Sequence, residues 1–343
     1  MATALANETQ TRHNTEYLFN NAGERAETRF RNLPALHDAH TIDHLKERGI
    51  KEGWSCLEIG GGRSVTSWLC ARVGVTGRVL ATDVEPRFLQ TLSFPNLEVW
   101  RHNLHKEPLP TGEFDLVHAR LALAHLRDGE SALARMMGAL KPGGWILIEE
   151  LDDLSFLPDP TVNPGEVSLR VRQAFQQDVT SGGIHLRQGR LLPQQLQSNG
   201  LVNIGADTSV FVWKAQSAGA RLLKLSCKEL REATGWRLMS VSEFEADMNR
   251  VDDQDFFTLS EKLWTAWGRL PLQKWMALLT CETVCERNKE DKMITITSDG
   301  GVVTLINVFS CDPQNQQRLI DFWIRATEET LGKFPGIISA VLH

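Results

Sequence analysis

The 343-residue chain has one tyrosine, six scattered cysteines and no long run of lysine and arginine. Each shortage excludes something. No apolar stretch reaches the ~18 residues that a membrane span needs, so no membrane partner is expected. Nor does a basic region precede an apolar segment near Met1, so no secretory leader is expected. Cys56, Cys70, Cys227, Cys281, Cys285 and Cys311 follow no framework spacing and read as reduced thiols of a cytoplasmic protein. Cys281 and Cys285 would share a helical face, but no further ligands lie near them in the sequence, and no metal site is read. The net charge of −6 supplies no concentrated positive field, so a nucleic-acid partner is not expected either. There is no internal repeat.

What is present is a strict alternation of elements. Apolar positions recur at helical spacing from Tyr17 to Glu47, and Trp54-Ser-Cys-Leu-Glu-Ile59 is a strand that stops at Gly60-Gly61-Gly62. A helix over Ser64–Val73 follows, then strands at Gly77–Asp83, Leu97–His102, Phe114–Ala119 and Trp145–Glu149. Pro86–Leu92 reads as a short helix, and Arg127–Leu140 as a helix stopped by Lys141-Pro-Gly-Gly144. Short turns between such elements imply right-handed crossovers. The expected fold is α/β, a doubly wound Rossmann-like, mostly parallel sheet with helices on both faces. Helices are expected over 166–178, 189–199 and 218–249, a strand over Leu201–Val212, and a sheet-closing segment over Phe256–Trp267. Residues 1–270 then form the main domain and 271–292 a linker containing a connector helix and a charged break. Residues 293–343 form a small appendage with a strand at Val302–Phe309 and a helix from Pro313 to about Leu331.

In an open α/β sheet the ligand sits at the carboxyl ends of the strands, near the point where strand order reverses. The glycines after the first strand form that cradle, and their neighbours discriminate between ligands. A dinucleotide fingerprint needs glycine at position 65, which is Val65, and Gly62-Arg63-Ser64 lacks the spacing of a phosphate loop. Glu58, just before the glycines, would repel a pyrophosphate and attract a cationic amino-acid moiety. Asp83 ends the second strand, where a carboxylate accepts hydrogen bonds from both ribose hydroxyls. Asn103 follows the third strand, where it either addresses an adenine or simply makes the turn.

In this order, Leu57-Glu-Ile-Gly-Gly-Gly62, Val79-Leu-Ala-Thr-Asp83, Arg101-His-Asn-Leu104, Phe114 to Leu126 and Leu140-Lys-Pro-Gly-Gly-Trp145 resemble the motifs of class I S-adenosylmethionine-dependent methyltransferases of the bacterial small-molecule type. The resemblance covers residues 15–270. It implies S-adenosylmethionine as cofactor, held by Glu58, Gly60, Gly61, Gly62, Asp83, Val84, Asn103, Leu104 and Ala119. Ser64 stands where many members carry a further glycine, and its hydroxyl is expected to cap the following helix. Val302–His343 resembles the first half of an antibiotic-biosynthesis monooxygenase-type domain, a βαβ half of a ferredoxin-like module. A lone half leaves a sheet edge open, so it is expected to pack on the main domain, form a homodimer or be a truncated remnant, without oxygenase activity.

The expected activity is methyl transfer to a small-molecule acceptor, aromatic or polyketide-like, of secondary metabolism. The alternative is a regulatory or scaffold protein that binds the cofactor without turnover. General-base candidates are His118 and Glu150 at the carboxyl ends of the fourth and fifth strands, and His185 in a later loop. His125 reads as a packed histidine. Tyr17 and Arg29 are lid or packing residues, and Trp213 or Trp236 could line the acceptor pocket.

Overall fold

A computed structural model describes residues 24–126, 128–153, 166–181, 183, 185–234, 239–272, 294–297 and 303–306. Tyr17, Trp236, Cys281, Cys285, Cys311, the connector helix and the helix expected from Pro313 lie outside the described residues. The chain divides into two compact units, Met1–Leu272 and Gln273–His343.

The first unit is built on a seven-stranded sheet in the order β3-β2-β1-β4-β5-β9-β6. Its strands are β1 (Ser55–Ile59), β2 (Arg78–Asp83), β3 (Leu97–Arg101), β4 (Phe114–Arg120), β5 (Leu140–Asp152), β6 (Val202–Ser209) and β9 (Lys262–Arg269). The pairs among β1 to β5 are parallel, whereas β9 runs antiparallel to both β5 and β6. Strand order reverses between β1 and β4, which fixes the cleft at their carboxyl ends.

β1 shows why this sequence makes a central strand. Leu57 and Ile59 enter the core covered by helices α3 (Gly129–Gly138) and α5 (Gln188–Ser198). Cys56 enters the opposite core, covered by α1 (Glu24–Glu47) and α2 (Arg63–Val73). A strand covered on both faces is apolar throughout, and each fully buried leucine contributes roughly 1.5–3 kcal/mol. Glu58 is therefore an expensive exception, buried with 2% of its surface exposed. The described cysteines, Cys56, Cys70 and Cys227, are buried and unbridged.

Several expectations need adjusting. Pro86–Thr91 is a 3-10 helix. α3 stops at Gly138, and β5 already begins at Leu140 with a register shift between Phe114 and Leu116, so Lys141–Gly144 belongs to a strand. The strand expected over Leu201–Val212 is split into β6 and β7 (Val212–Lys214), and β7 leaves the main sheet to pair with β8 (Phe257–Leu259). Only β9 of the second half of Phe256–Trp267 joins the sheet, inserted between β5 and β6. The helix expected over 218–249 is two helices, α6 (Ala218–Thr234) and α7 (Val241–Arg250), the latter started by a capping box in which Ser240 and Glu243 satisfy each other's backbone. α4 (Glu166–Ser181) completes the unit.

In the second unit, β10 (Ile294–Thr297) and β11 (Val303–Ile306) form an antiparallel pair. β11 lies in the expected strand; β10 falls where none was expected. No described helix is long and apolar enough to cross a membrane.

Candidate active site

A cavity of about 290 Å³ opens at the carboxyl ends of β1, β2, β3 and β4. Glu58, Gly60, Gly62, Asp83, Val84, Asn103 and Leu104 line one part of it. The sheet brings these together because the turns after four parallel strands converge there. Gly60 adopts φ +66°, a left-handed conformation that favours glycine, and donates its N–H to Thr82 O at 2.8 Å. The chain thereby turns into α2, whose N-cap is Gly62. No side chain caps that helix, and the Ser64 hydroxyl is buried without a hydrogen-bond partner, so the expected serine cap is absent.

Two residues expected in the cradle, and one expected as a general base, do not line the cavity. Ala119 is fully buried in β4, within the core. Gly61 packs inward, where a Cβ would approach Glu58 Cγ at 3.0 Å. His118 is fully buried, and its Nδ1 lies 2.5 Å from Glu58 Oε2 and its Nε2 3.6 Å from Glu149 Oε2. It therefore supports Glu58 from behind the cavity.

The partners of His118 decide its charge. Burial alone would lower its proton affinity, but the charge of Glu58, its short hydrogen bond and the charge of Glu149 outweigh this and raise its pKa to about 9. Glu149, which burial would push up, is brought down to about 2 by the nearby His118, by the charge of Arg120 and by the Thr41 hydrogen bond. Glu149 also accepts hydrogen bonds from Thr41 Oγ1 (2.5 Å) and Thr265 Oγ1 (2.8 Å). Strand register explains the alignment. Glu58 stands opposite His118, while Arg120, Glu149, Thr265 and Asp207 face one another in turn across β4, β5, β9 and β6.

Asp83 is half-buried, and its Oδ1 accepts from Glu85 N at 2.8 Å. Burial pushes its carboxyl up to about 6, against the backbone hydrogen bonds. Asn103 makes the turn, its Oδ1 accepting from His105 N at 3.0 Å, and it also lines the cavity.

The other part of the cavity is mainly apolar, with Leu33, Phe175, Val179, Trp213, Leu222 and Leu223 in its walls. Glu150 also lines it. One carboxylate oxygen accepts from Ala122 N (2.8 Å) and Leu123 N (2.6 Å), and the other has no hydrogen-bond partner. Burial raises this carboxyl to about 7, against the pull of those N–H groups. The geometry depends on Leu121, a non-glycine residue at φ +56° that turns the chain after β4. Nothing in the sequence around Leu121 announces that strain. His125 and His185 also reach the cavity. Burial, aided by Arg29, lowers His125 to about 4, so it is neutral at pH 7. Arg29 borders the cavity and is paired with Glu229 at 2.7 Å.

The donor set fits S-adenosylmethionine. Two carboxylates, Glu58 and Asp83, border the glycine cradle, which disfavours a phosphate and suits a ligand with a cationic amino-acid end and a ribose. A Cβ at Gly62 would come within 3.7 Å of the Arg120 guanidinium, so the cradle also offers a positive group.

The chain is similar to several known proteins. Among curated relatives, methyltransferase str2 of Strobilurus tenacellus is 38% identical over 28% of this chain and 35% of its own length. The ubiquinone/menaquinone biosynthesis C-methyltransferase UbiE of Francisella tularensis subsp. novicida is 29% identical over 34% of this chain and 50% of its own. The chain thus spans half or less of the length of these relatives. A crystal structure of a SAM-dependent methyltransferase from Aquifex aeolicus aligns over 67% of this chain and 88% of its own, with 16% identity and a TM-score of 0.37. A family model described as a methyltransferase domain matches residues 18–205, more than half of the chain, and the protein belongs to that methyltransferase family.

Proposed function

We propose that this protein transfers the methyl group of S-adenosylmethionine to a small, largely apolar acceptor carrying an acidic hydroxyl or carbon, with Glu150 as general base. The observation that carries this reading is the single cavity shared by the glycine cradle, an apolar wall and the Glu150 carboxyl. When bound, the cofactor supplies an electrophilic methyl on sulfur. In this reading Asp83 accepts from the ribose hydroxyls, Asn103 and Leu104 border the adenine, and Glu58 with the glycines surrounds the methionine part. Arg120 meets its carboxylate.

Glu150 is suited to proton uptake because its pKa of about 7 matches the working pH. The two backbone N–H groups hold one of its oxygens and leave the other for the acceptor proton. The apolar wall excludes water from the reacting atoms. Its lining supports an aromatic or polyketide-like acceptor, and so does a relative named for quinone biosynthesis. His118 has a positioning role through Glu58.

Calorimetric titration with S-adenosylmethionine, S-adenosylhomocysteine and NADH in parallel tests the cofactor. Micromolar binding of the two sulfur compounds with none of NADH is expected; binding of NADH alone would overturn the reading. Once an acceptor is found among aromatic hydroxyl compounds, Glu150→Gln should keep cofactor affinity and lower turnover by roughly two to four powers of ten. Undiminished turnover would remove Glu150 from the base role.

A further inference from the structure

We propose that His40, His44 and Asp207 form a binding site for a zinc-class divalent cation, separate from the cofactor cavity, that fastens α1 to the edge strand β6. One potential ligand atom from each residue lies within 4.8 Å of the others. None of the three lines the cavity.

The placement follows from the two periodicities. His40 and His44 are one turn apart on α1 and so share a face, the spacing by which a helix offers two imidazoles to one ion. Asp207 is on β6, in register with Thr265, at the end of the polar row beneath that helix face. Ser209, two residues on, points to the same side of the strand.

Hydrogen bonding fixes the His40 tautomer. Thr265 Oγ1 donates to Glu149 Oε1 at 2.8 Å, so its proton is committed. It can only accept from His40 Nε2, 2.9 Å away, which must therefore carry a hydrogen. With the hydrogen on Nε2, Nδ1 is the ring nitrogen left to offer a lone pair. That atom lies 3.0 Å from Ser209 Oγ, two residues along β6 from Asp207. The chain from Nε2–H through Thr265 to Glu149 is the outer-shell support that ligating histidines ordinarily have.

His44 has the complementary arrangement. Its Nε2 is 3.4 Å from Asp207 Oδ2 and its Nδ1 is 3.5 Å from Glu47 Oε2, a carboxylate on either side at more than hydrogen-bond length. Two imidazole nitrogens and a carboxylate, with water at the fourth position, match the nitrogen and oxygen preference of zinc. The cation would hold the helix that contributes Arg29, Leu33, Pro34 and His37 to the cavity wall.

The test uses full-length protein without a purification tag, freed of metal by a chelator and titrated with Zn²⁺ by calorimetry. One equivalent should bind with micromolar or tighter affinity and raise the thermal midpoint. His40→Gln, His44→Gln and Asp207→Asn should each weaken that binding by about tenfold or more. Asp207 is exposed, so Asp207→Asn serves as the variant least able to disturb folding, checked by unchanged S-adenosylmethionine affinity in the absence of zinc. The proposal is overturned if the wild type binds no zinc below millimolar concentration, which would leave His44 and Asp207 as a simple side-chain contact. It is equally overturned if all three variants bind as the wild type does, which would place the zinc elsewhere.

Discussion

Replacing Asp83 by asparagine separates what this carboxylate does for the cofactor from what it costs the empty protein. Burial lifts its pKa from 3.8 to about 6, a difference of about two units. At 1.36 kcal/mol per unit this sets an upper bound of about 3 kcal/mol on the cost of keeping it ionised, and solvent in the open cavity reduces that to about 1–2 kcal/mol. The sign follows from linkage. A carboxyl whose folded pKa lies above its unfolded value destabilises the fold when ionised, fully above pH 6 and not at all below about pH 4. Asp83→Asn keeps the Oδ1 acceptor for Glu85 N, so the turn survives and the penalty disappears. The variant should therefore unfold at higher urea than the wild type at pH 7.5, and the gain should vanish near pH 4. Affinity should move the other way. Exchanging charge-assisted for neutral hydrogen bonds to the ribose should cost about 2 kcal/mol, or roughly 30-fold in Kd for S-adenosylmethionine by calorimetry. A variant that binds as tightly as the wild type, or that loses stability at pH 7.5, would refute the reasoning.

Three further outcomes concern the residues behind the cavity. His118→Leu leaves Glu58 and Glu149 buried without their shared partner and should cost roughly 3–5 kcal/mol in urea denaturation; an unchanged midpoint would show that water or rearrangement replaces the imidazole. The wild-type network also carries a pH signature. With its folded pKa raised to about 9, His118 contributes stability that is whole below about pH 6.5 and lost as pH rises through 9, a loss that His118→Leu should not show. Gly189→Ala would place a Cβ 2.5 Å from the Glu150 carbonyl oxygen and 2.9 Å from the Trp264 ring, so the backbone must shift at an expected cost of about 1–3 kcal/mol. Turnover should fall further than cofactor affinity, and equal falls in both would mean that Glu150 is not displaced.

The contrast between Asp83 and His118 shows what a sequence can and cannot disclose about such a site. Asp83, Gly60 and Asn103 act through local geometry. Each ends or follows a strand whose apolar run is legible, and parallel strands bring their carboxyl ends together whatever the rest of the chain does. The parallel half of the sheet and most of the cradle were readable for that reason. His118 stands at an equally visible strand end, but its side chain points the other way, and only the β1–β4 register puts it on Glu58. A one-residue slip would have turned it toward the opposite face. The same holds for the β9 insertion, which brings Thr265 between Glu149 and Asp207 from a segment more than a hundred residues after β5. No local pattern marks Thr265, because a buried threonine reads as an ordinary strand residue until a carboxylate is opposite it. Buried charges beneath this sheet are therefore legible only as anomalies: a glutamate in an otherwise apolar strand must have a partner, and the sequence says that one exists without saying where.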